Sequence, residues 1–421
     1  MRRNNSVYSP LVVLWLMVAQ RLDGGASLEA AVLELLRGLP ASFWPQPCKR
    51  IREWREHGKM PSSNTGAYNQ ARLALPLSMV KKSCDHIFDQ LIAQIGEPVS
   101  EDSTRVFLLD GSSMRASHTP GLCSAYPPGH NLLGESHWPL IRVLVAHDLH
   151  TGLAMRPEWG PMHGDQAISE QALLKRAMDR LPSGATLMGD ANFGVFTVAY
   201  AATRSEYPVL LRLTVSRAQR LAGGTLEDGI DREVEWKPSW EERKKYSDLP
   251  VDASVKGRLV VRRVQPNDGS AAFLLPFFTT LASSMEEVFR LYGKRWAVET
   301  DLRALKSSLR LDQFTSLTPD MVAKEIDMGI TAYNLVRALT VIASQQSGIP
   351  PRGYSFTKIT LILRTFGPSL AAAPDQQAAQ QIFDQMMKCV QQSKLPQRKR
   401  KRPSYPREVW KRGQNFPSRK K

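Results

Sequence analysis

Four side chains on one predicted helix carry the densest chemistry in the chain. Residues 285–311 read MEEVFRLYGKRWAVETDLRALKSSLRL and contain Tyr292, Arg295, Glu299 and Lys306, spaced Y-x2-R-x3-E-x6-K. The stretch lacks proline, has one glycine and is rich in helix formers, so a single continuous helix is expected. At about 100° per residue the four fall within an arc of roughly 60°. Beside them runs an apolar stripe of Leu291, Val298, Leu302, Leu305 and Leu309. A carboxylate, two cations and a phenol next to a core-facing stripe suit a metal-and-phosphate site: Glu holds a divalent ion while Arg, Lys and Tyr take phosphate oxygens. A solvated stripe of charges with i,i+4 pairs has the same composition, so the reading depends on what the other elements bring to this helix.

They bring two more carboxylates. Val106-Phe107-Leu108-Leu109 is an apolar run followed by Asp110-Gly111-Ser112-Ser113, and residues 185–189 are a second run followed by Asp190. Both read as buried strands that deliver an aspartate at their C-terminal ends. Between them, residues 140–147 and 153–156 read as an antiparallel hairpin and 167–180 as an amphipathic helix. After Asp190 a helix through Thr203 leads to a strand at 207–213. A lone Asp after an apolar strand is usually a turn or cap residue. Two of them plus Glu299 make three carboxylates that repel one another unless cations join them. Two divalent ions about 3.5–4 Å apart activate a water or a 3′-hydroxyl and stabilise the leaving oxygen of an in-line phosphoryl displacement.

The remaining elements frame this set. Residues 1–100 read as short helices; Tyr68, Gln70 and Arg72 lie in a helix–turn–helix pattern that either reads a DNA end or belongs to a plain helical bundle. Residues 214–280 contain three strand-like pieces and are basic around Arg258, Arg262 and Arg263, with Trp236 and Trp240 in or beside them. An aromatic on a basic β surface either stacks on an unpaired base or holds a small β unit together. Residues 320–343 form a strong helix carrying Glu325, Tyr333, Asn334 and Arg337, expected to pack under the site helix.

Composition favours a polyanion partner. Lys+Arg 56 against Asp+Glu 40 gives +16 over 421 residues. From Lys394 onward twelve Lys or Arg face one Glu, so most of the excess lies in the tail. A basic tail fits nucleic acid, and equally a solvated terminus. Cys48, Cys84, Cys123 and Cys389 form no CxxC pair, which argues against a structural zinc site or a disulfide framework and fits reduced thiols in a cytosol. The apolar run at 11–19 is too short to span a bilayer and reads as a buried helix.

With both Asp contexts (FLLDGSS and LMGDANFG) preceding Tyr292, Arg295, Glu299 and Lys306, the sequence resembles the bacterial insertion-sequence transposases of the DDE (Asp-Asp-Glu) class, in the Tyr-Arg-Glu-Lys branch, the insertion-sequence-four family. NTGAYNQARLALP, VEWKPS, LYGKRWAVETDLRALKSSL and KEIDMGITAYNLVRAL add to the likeness, which runs from about Ser62 to about Thr340. The resemblance implies an α/β, RNase H-like mixed sheet flanked by helices. Its catalytic part would occupy residues 101–213 and 281–345, interrupted by a β-rich insertion at 214–280. An N-terminal helical DNA-binding region (1–100) and a C-terminal helical region with the basic tail (346–421) would flank it. It implies cleavage at transposon ends and strand transfer into target DNA, with two Mg²⁺ ions (or Mn²⁺) held by Asp110, Asp190 and Glu299. Tyr292, Arg295 and Lys306 would contact phosphates, and Trp236 would stack on a flipped base. A homodimer in a synaptic complex with double-stranded DNA, no membrane, and a bacterial cytoplasmic, nucleoid-associated setting complete the expectation. A non-catalytic DNA-binding derivative of a transposase is the competing reading.

Overall fold

Apolar runs bounded by turn residues become strands, and stretches with apolar residues every third or fourth position become helices. In the computed structural model, which describes residues 6–95, 105–131, 134–266, 271–312 and 314–396, five helices come first. They are α1 (Pro10–Leu22), α2 (Leu28–Arg37), α3 (Lys49–His57), α4 (Gly66–Ala74) and α5 (Leu77–Ile95). The chain continues through β1 (Val106–Arg115), α6 (Pro120–Ala125), β2 (Pro128–Asn131), β3 (Gly134–Asp148), β4 (Glu158–Pro161), α7 (Glu170–Ala177), β5 (Thr186–Gly189), α8 (Phe196–Arg204) and β6 (Val209–Arg212). Next come α9 (Val215–Ala222), β7 (Asp231–Trp236), α10 (Trp240–Lys245), β8 (Val255–Val264) and β9 (Phe273–Thr279). The last elements are α11 (Met285–Gly293), α12 (Ala297–Arg303), α13 (Pro319–Ser347), α14 (Phe356–Ala371) and α15 (Gln376–Gln392). The basic tail lies outside the described residues from position 397 onward.

The strands form one mixed sheet in the order β2-β3-β1-β5-β6-β9-β8-β7, with β4 also on β3. β1 runs antiparallel to β3 and parallel to β5, and β5 parallel to β6. This is the RNase H-like sheet, with helices on both faces. The β-rich stretch lengthens the same sheet, because β9 pairs antiparallel with β6 and carries β8 and β7 beyond it.

Strand alternation divides the core between the two faces. Phe107 and Leu109 point to the face covered by α7 and α8, in a cluster with Leu173, Leu174 and Phe196. Val106 and Leu108 point to the other face, in a cluster with Val288 and Val298 of the site helix. Further along that second face, Met114, Ile141, Val143 and Val145 join a large cluster with α1 and α13. α13 is long and apolar enough to cross a membrane by composition, but 83% of its apolar window is buried inside the protein.

The observed elements correct or refine three local expectations. The stretch 285–311 is not one regular helix: a 3₁₀ turn (Lys294–Trp296) separates α11 from α12, and a π turn (Ala304–Ser308) follows α12. Its residues serve two cores. Val288 and Val298 pack in one, and Leu302, Leu305 and Leu309 in the other, so the winding is re-phased between them. The second half of the expected hairpin, 153–156, contributes only a bridge between His147 and Ala154. Its backbone still bonds to β3 as a hairpin would, Asp148 N donating to Leu153 O at 2.8 Å and Met155 N to Ala146 O at 2.9 Å, and a side chain adds to this. Ala154 N donates to Asn334 Oδ1 and Asn334 Nδ2 donates to Ala154 O, both at 2.8 Å. Finally, of the three residues singled out on α4, two turn inward as in a helical bundle, while Gln70 is exposed. Tyr68 is fully buried, and Arg72 is buried beside Glu325 of α13.

Candidate active site

The sheet register brings the two aspartates to one level. Leu108 of β1 pairs with Met188 of β5, so two residues further along each parallel strand stand Asp110 and Asp190. Parallel neighbours about 4.8 Å apart share a face, and Leu108 and Met188 both pack toward the site helix. β1 continues past Asp110 to Arg115 along β3, whereas β5 stops at Gly189, which leaves a notch beside Asp110. The aspartate expected at a strand end is therefore inside a strand, at the end of its parallel neighbour.

Burial, then the neighbouring Asp190, pushes the Asp110 carboxyl up to about 6, although Arg295 pulls it down. Asp110 Oδ1 accepts from Gly111 N at 2.9 Å. Asp190 caps its own loop: Asn192 N donates to Asp190 Oδ1 at 2.9 Å, and Arg217 Nη1 binds the carbonyls of Ala191 and Gly194.

The helix residues face this notch unequally. Arg295 Nη2 lies 3.4 Å from Glu299 Oε1 and also acts on Asp110, so it stands electrostatically between the glutamate and the aspartates. Tyr292 packs its ring on Phe277 at 4.4 Å. Its buried hydroxyl makes no hydrogen bond by distance and angle, although Arg212 lies close enough to act on it, and burial raises its pKa. Lys306 sits in the π turn, half-buried; burial lowers its pKa while Asp312 and Asp110 pull it back up. A cleft beside it of about 940 Å³ is lined by Ser113, Arg115, Lys306, Arg310 and Asp312 among others.

The structure thus brings Asp110 and Asp190 together, with Arg295 and Lys306 within electrostatic reach, and leaves Glu299 on Arg295. Among the described residues no three His, Cys, Asp or Glu side chains converge as a metal-binding group. The donor set is all oxygen, as hard divalent cations require, and Asp110 is raised by burial and by Asp190 despite the partial compensation from Arg295. The residues present fit such an ion at Asp110 and Asp190. Glu299 joins them only by leaving Arg295.

Trp236 is a core residue: 6% exposed, it packs edge-on against Phe278 at 4.9 Å and Phe196 at 6.2 Å. As placed, its ring offers no face to a base. Exposed aromatics of that region are Trp240, at 74% with Lys244 over its ring, and Phe273, at 43%.

Two features escaped the sequence. Asp301, two residues beyond Glu299, is fully buried; Arg337 Nη2 donates to it at 2.5 Å, and Arg352 Nη1 binds both its oxygens at 2.7 and 2.9 Å. Arg352 also donates to the carbonyls of Leu149 and Asp148, tying the Glu299 helix to the end of β3. The second feature is Glu170, at the start of α7, whose carboxylate lies over Gly111. Its only sequence signal is an ordinary acidic residue after the N-cap Ser169.

Fold and site together define an RNase H-like α/β protein with an acidic notch facing a cationic helix. Residues 101–335 match the transposase DDE domain, more than half of the 421 residues, and the chain belongs to that family, which is one of DNA transposases with polynucleotidyl-transferase chemistry. Among solved structures, a piggyBac transposase synaptic complex with hairpin DNA is similar at 11% identity, over 90% of this chain and 76% of that chain, with a TM-score of 0.43. No curated protein matches the chain.

Proposed function

We propose that the chain is a cut-and-paste transposase of the insertion-sequence-four type, bacterial in origin, that cleaves the ends of its own element and joins them to target DNA. The observation that carries this reading is the register that sets Asp110 beside Asp190, with Arg295 poised between them and Glu299. Asp110, Asp190 and Glu299 are assigned as the ligands of divalent ions, Mg²⁺ first and Mn²⁺ as a substitute. When bound, such ions activate the attacking oxygen and stabilise the leaving one.

The chain's own residues orient the DNA. Arg295 exchanges Glu299 for a phosphate, which frees the carboxylate to turn toward the aspartates. The Tyr292 hydroxyl, buried and without a hydrogen bond, is assigned to a second phosphate oxygen. Lys306 and the cleft with Arg115 and Arg310 track the backbone away from the scissile bond. A homodimer bridging two ends is part of the proposal.

The Arg295–Glu299 pair also gives the competing reading its footing, since a non-catalytic DNA-binding descendant would keep that pair closed. Cleavage of a labelled duplex carrying the DNA that flanks the gene, with and without Mg²⁺, separates the two. Metal-dependent nicking at one defined end that disappears in Glu299→Gln supports the transposase. Binding without nicking in both proteins, on either flank, supports the non-catalytic reading.

A further inference from the structure

Glu170 approaches the acidic notch from the face of the sheet opposite the Glu299 helix. Gly111, which follows Asp110, points to the α7 face, and the Glu170 side chain occupies the space a β-carbon would take there. An ideal Cβ on Gly111 would stand 2.0 Å from Glu170 Cδ and 2.1 Å from its Oε1. A glutamate in the first turn of a helix ordinarily faces water and the helix dipole. This one is turned back over a strand, with Arg142 of β3 acting on its charge and its hydrogen-bond partner in the Asp190 loop. Asn192 Nδ2, in the Asp190 loop, donates to Glu170 Oε2 at 2.5 Å, while Asn192 N donates to Asp190 Oδ1 at 2.9 Å. Gln171 Nε2 fixes the same asparagine through its Oδ1 and carbonyl, at 2.8 and 2.7 Å. One asparagine therefore couples the two carboxylates. β5 ends at Gly189, so beside Asp110 no strand separates the two faces.

We propose that Glu170 is a fourth acidic residue of the metal site, seated over Gly111 and steered by Asn192 toward the ion shared by Asp110 and Asp190. This rests on the metal-site reading given above. As placed, the three carboxylates do not converge; Asp110 and Asp190 reach the notch from the α12 face, and an ion there would draw Glu170 in from the α7 face. Such a site does not wait for Glu299: it is acidic before DNA arrives, while Glu299 is still held by Arg295.

The test is a Mn²⁺ titration of the full-length protein without DNA, followed by the electron paramagnetic resonance signal of free Mn²⁺, which reads binding rather than cleavage. Glu170→Gln keeps the volume and an oxygen that still accepts from Asn192, and removes the charge. Gly111→Ala keeps every carboxylate but displaces Glu170, the flexible end of that contact. The expectation is that Asp110→Asn, Glu170→Gln and Gly111→Ala each weaken the tightest Mn²⁺ site about ten-fold or more, while Glu299→Gln leaves it within about two-fold. Wild-type affinity in Glu170→Gln alongside a loss in Asp110→Asn overturns the role of Glu170 and leaves the metal site standing. Wild-type affinity in Asp110→Asn, or no Mn²⁺ binding by the wild type, overturns both. If Gly111→Ala melts early, the Glu170→Gln titration decides alone.

Discussion

Asp327 lies in the middle of α13, fully buried, with neither carboxylate oxygen hydrogen-bonded. Burial, opposed by Arg156 and Lys81, pushes its carboxyl up to about 7. The folded state therefore favours the protonated form. Its contribution to stability is fully present below about pH 4, where the unfolded chain also holds the proton, and is lost as pH rises toward 7. Asp327→Asn supplies a neutral group at every pH. It is expected to stabilise the protein by roughly 2–4 kcal/mol at pH 8 and by almost nothing at pH 4. Urea unfolding at the two pH values checks this, and an equal effect at both would mean the carboxylate is not strained by charge. Trp236 gives the converse case, an aromatic whose type suggested base stacking and whose neighbours make it core. Trp236→Ala is expected to cost about 3–5 kcal/mol in unfolding free energy. If Trp236→Phe melts normally yet blocks cleavage, the ring has a role in DNA chemistry after all.

Among the elements, the Glu299 helix was legible in outline and not in detail. Its helix formers and apolar stripe are local signals, and they placed Val298, Leu302, Leu305 and Leu309 correctly on buried faces. The 3₁₀ and π turns come from serving two cores at once, which depends on elements distant in sequence. The same distance hid Asp301, whose partners Arg337 and Arg352 lie 36 and 51 residues further on. Strand patterns placed Asp110 and Asp190 near strand ends, but only the parallel pairing of β1 with β5 sets them level. Glu170 was illegible because nothing local separates a solvent-facing first-turn glutamate from one turned over a glycine. Around α13 the polar residues act as clamps. Tyr333 Oη donates to Gly152 O at 2.8 Å, and Gly152 adopts φ +79, leaving room for the Arg337 guanidinium. Asp301→Ala strands two arginines beside the site helix and is expected to cost about 3–5 kcal/mol. Hydrogen exchange offers the sharper readout: protection should fall first in α12 and the π turn. Uniform loss across the sheet would mean that Asp301 supports the whole fold rather than the placement of Glu299.

Over the whole molecule, the N-terminal helices and the sheet meet on α13. Arg21 of α1 pairs with Glu325 at 2.8 Å, and Lys324 Nζ donates to the Arg72 and Leu73 carbonyls that end α4, so these polar residues are spent on packing, whereas Lys49, Arg50, Arg52 and Arg55 of α3 stay exposed. DNA attraction can draw besides on the exposed cations of the cleft beside Lys306 and on the tail, where eleven Lys or Arg lie between 397 and 421. The two sources differ in what they neutralise. Cleft cations lie beside the notch and engage a defined set of phosphates, whereas the tail supplies the larger number of charges. Each phosphate neutralised contributes about −0.9 to the slope of log affinity against log salt. A chain ending at Gln397 is therefore expected to show a slope shallower by several units on random duplex DNA. Lys306→Ala should change that slope by about one or less and reduce end-specific binding instead. Fluorescence anisotropy from about 50 to 200 mM salt measures both. An unchanged slope in the shortened chain would place the polyanion surface on the folded part and leave the tail as a solvated terminus.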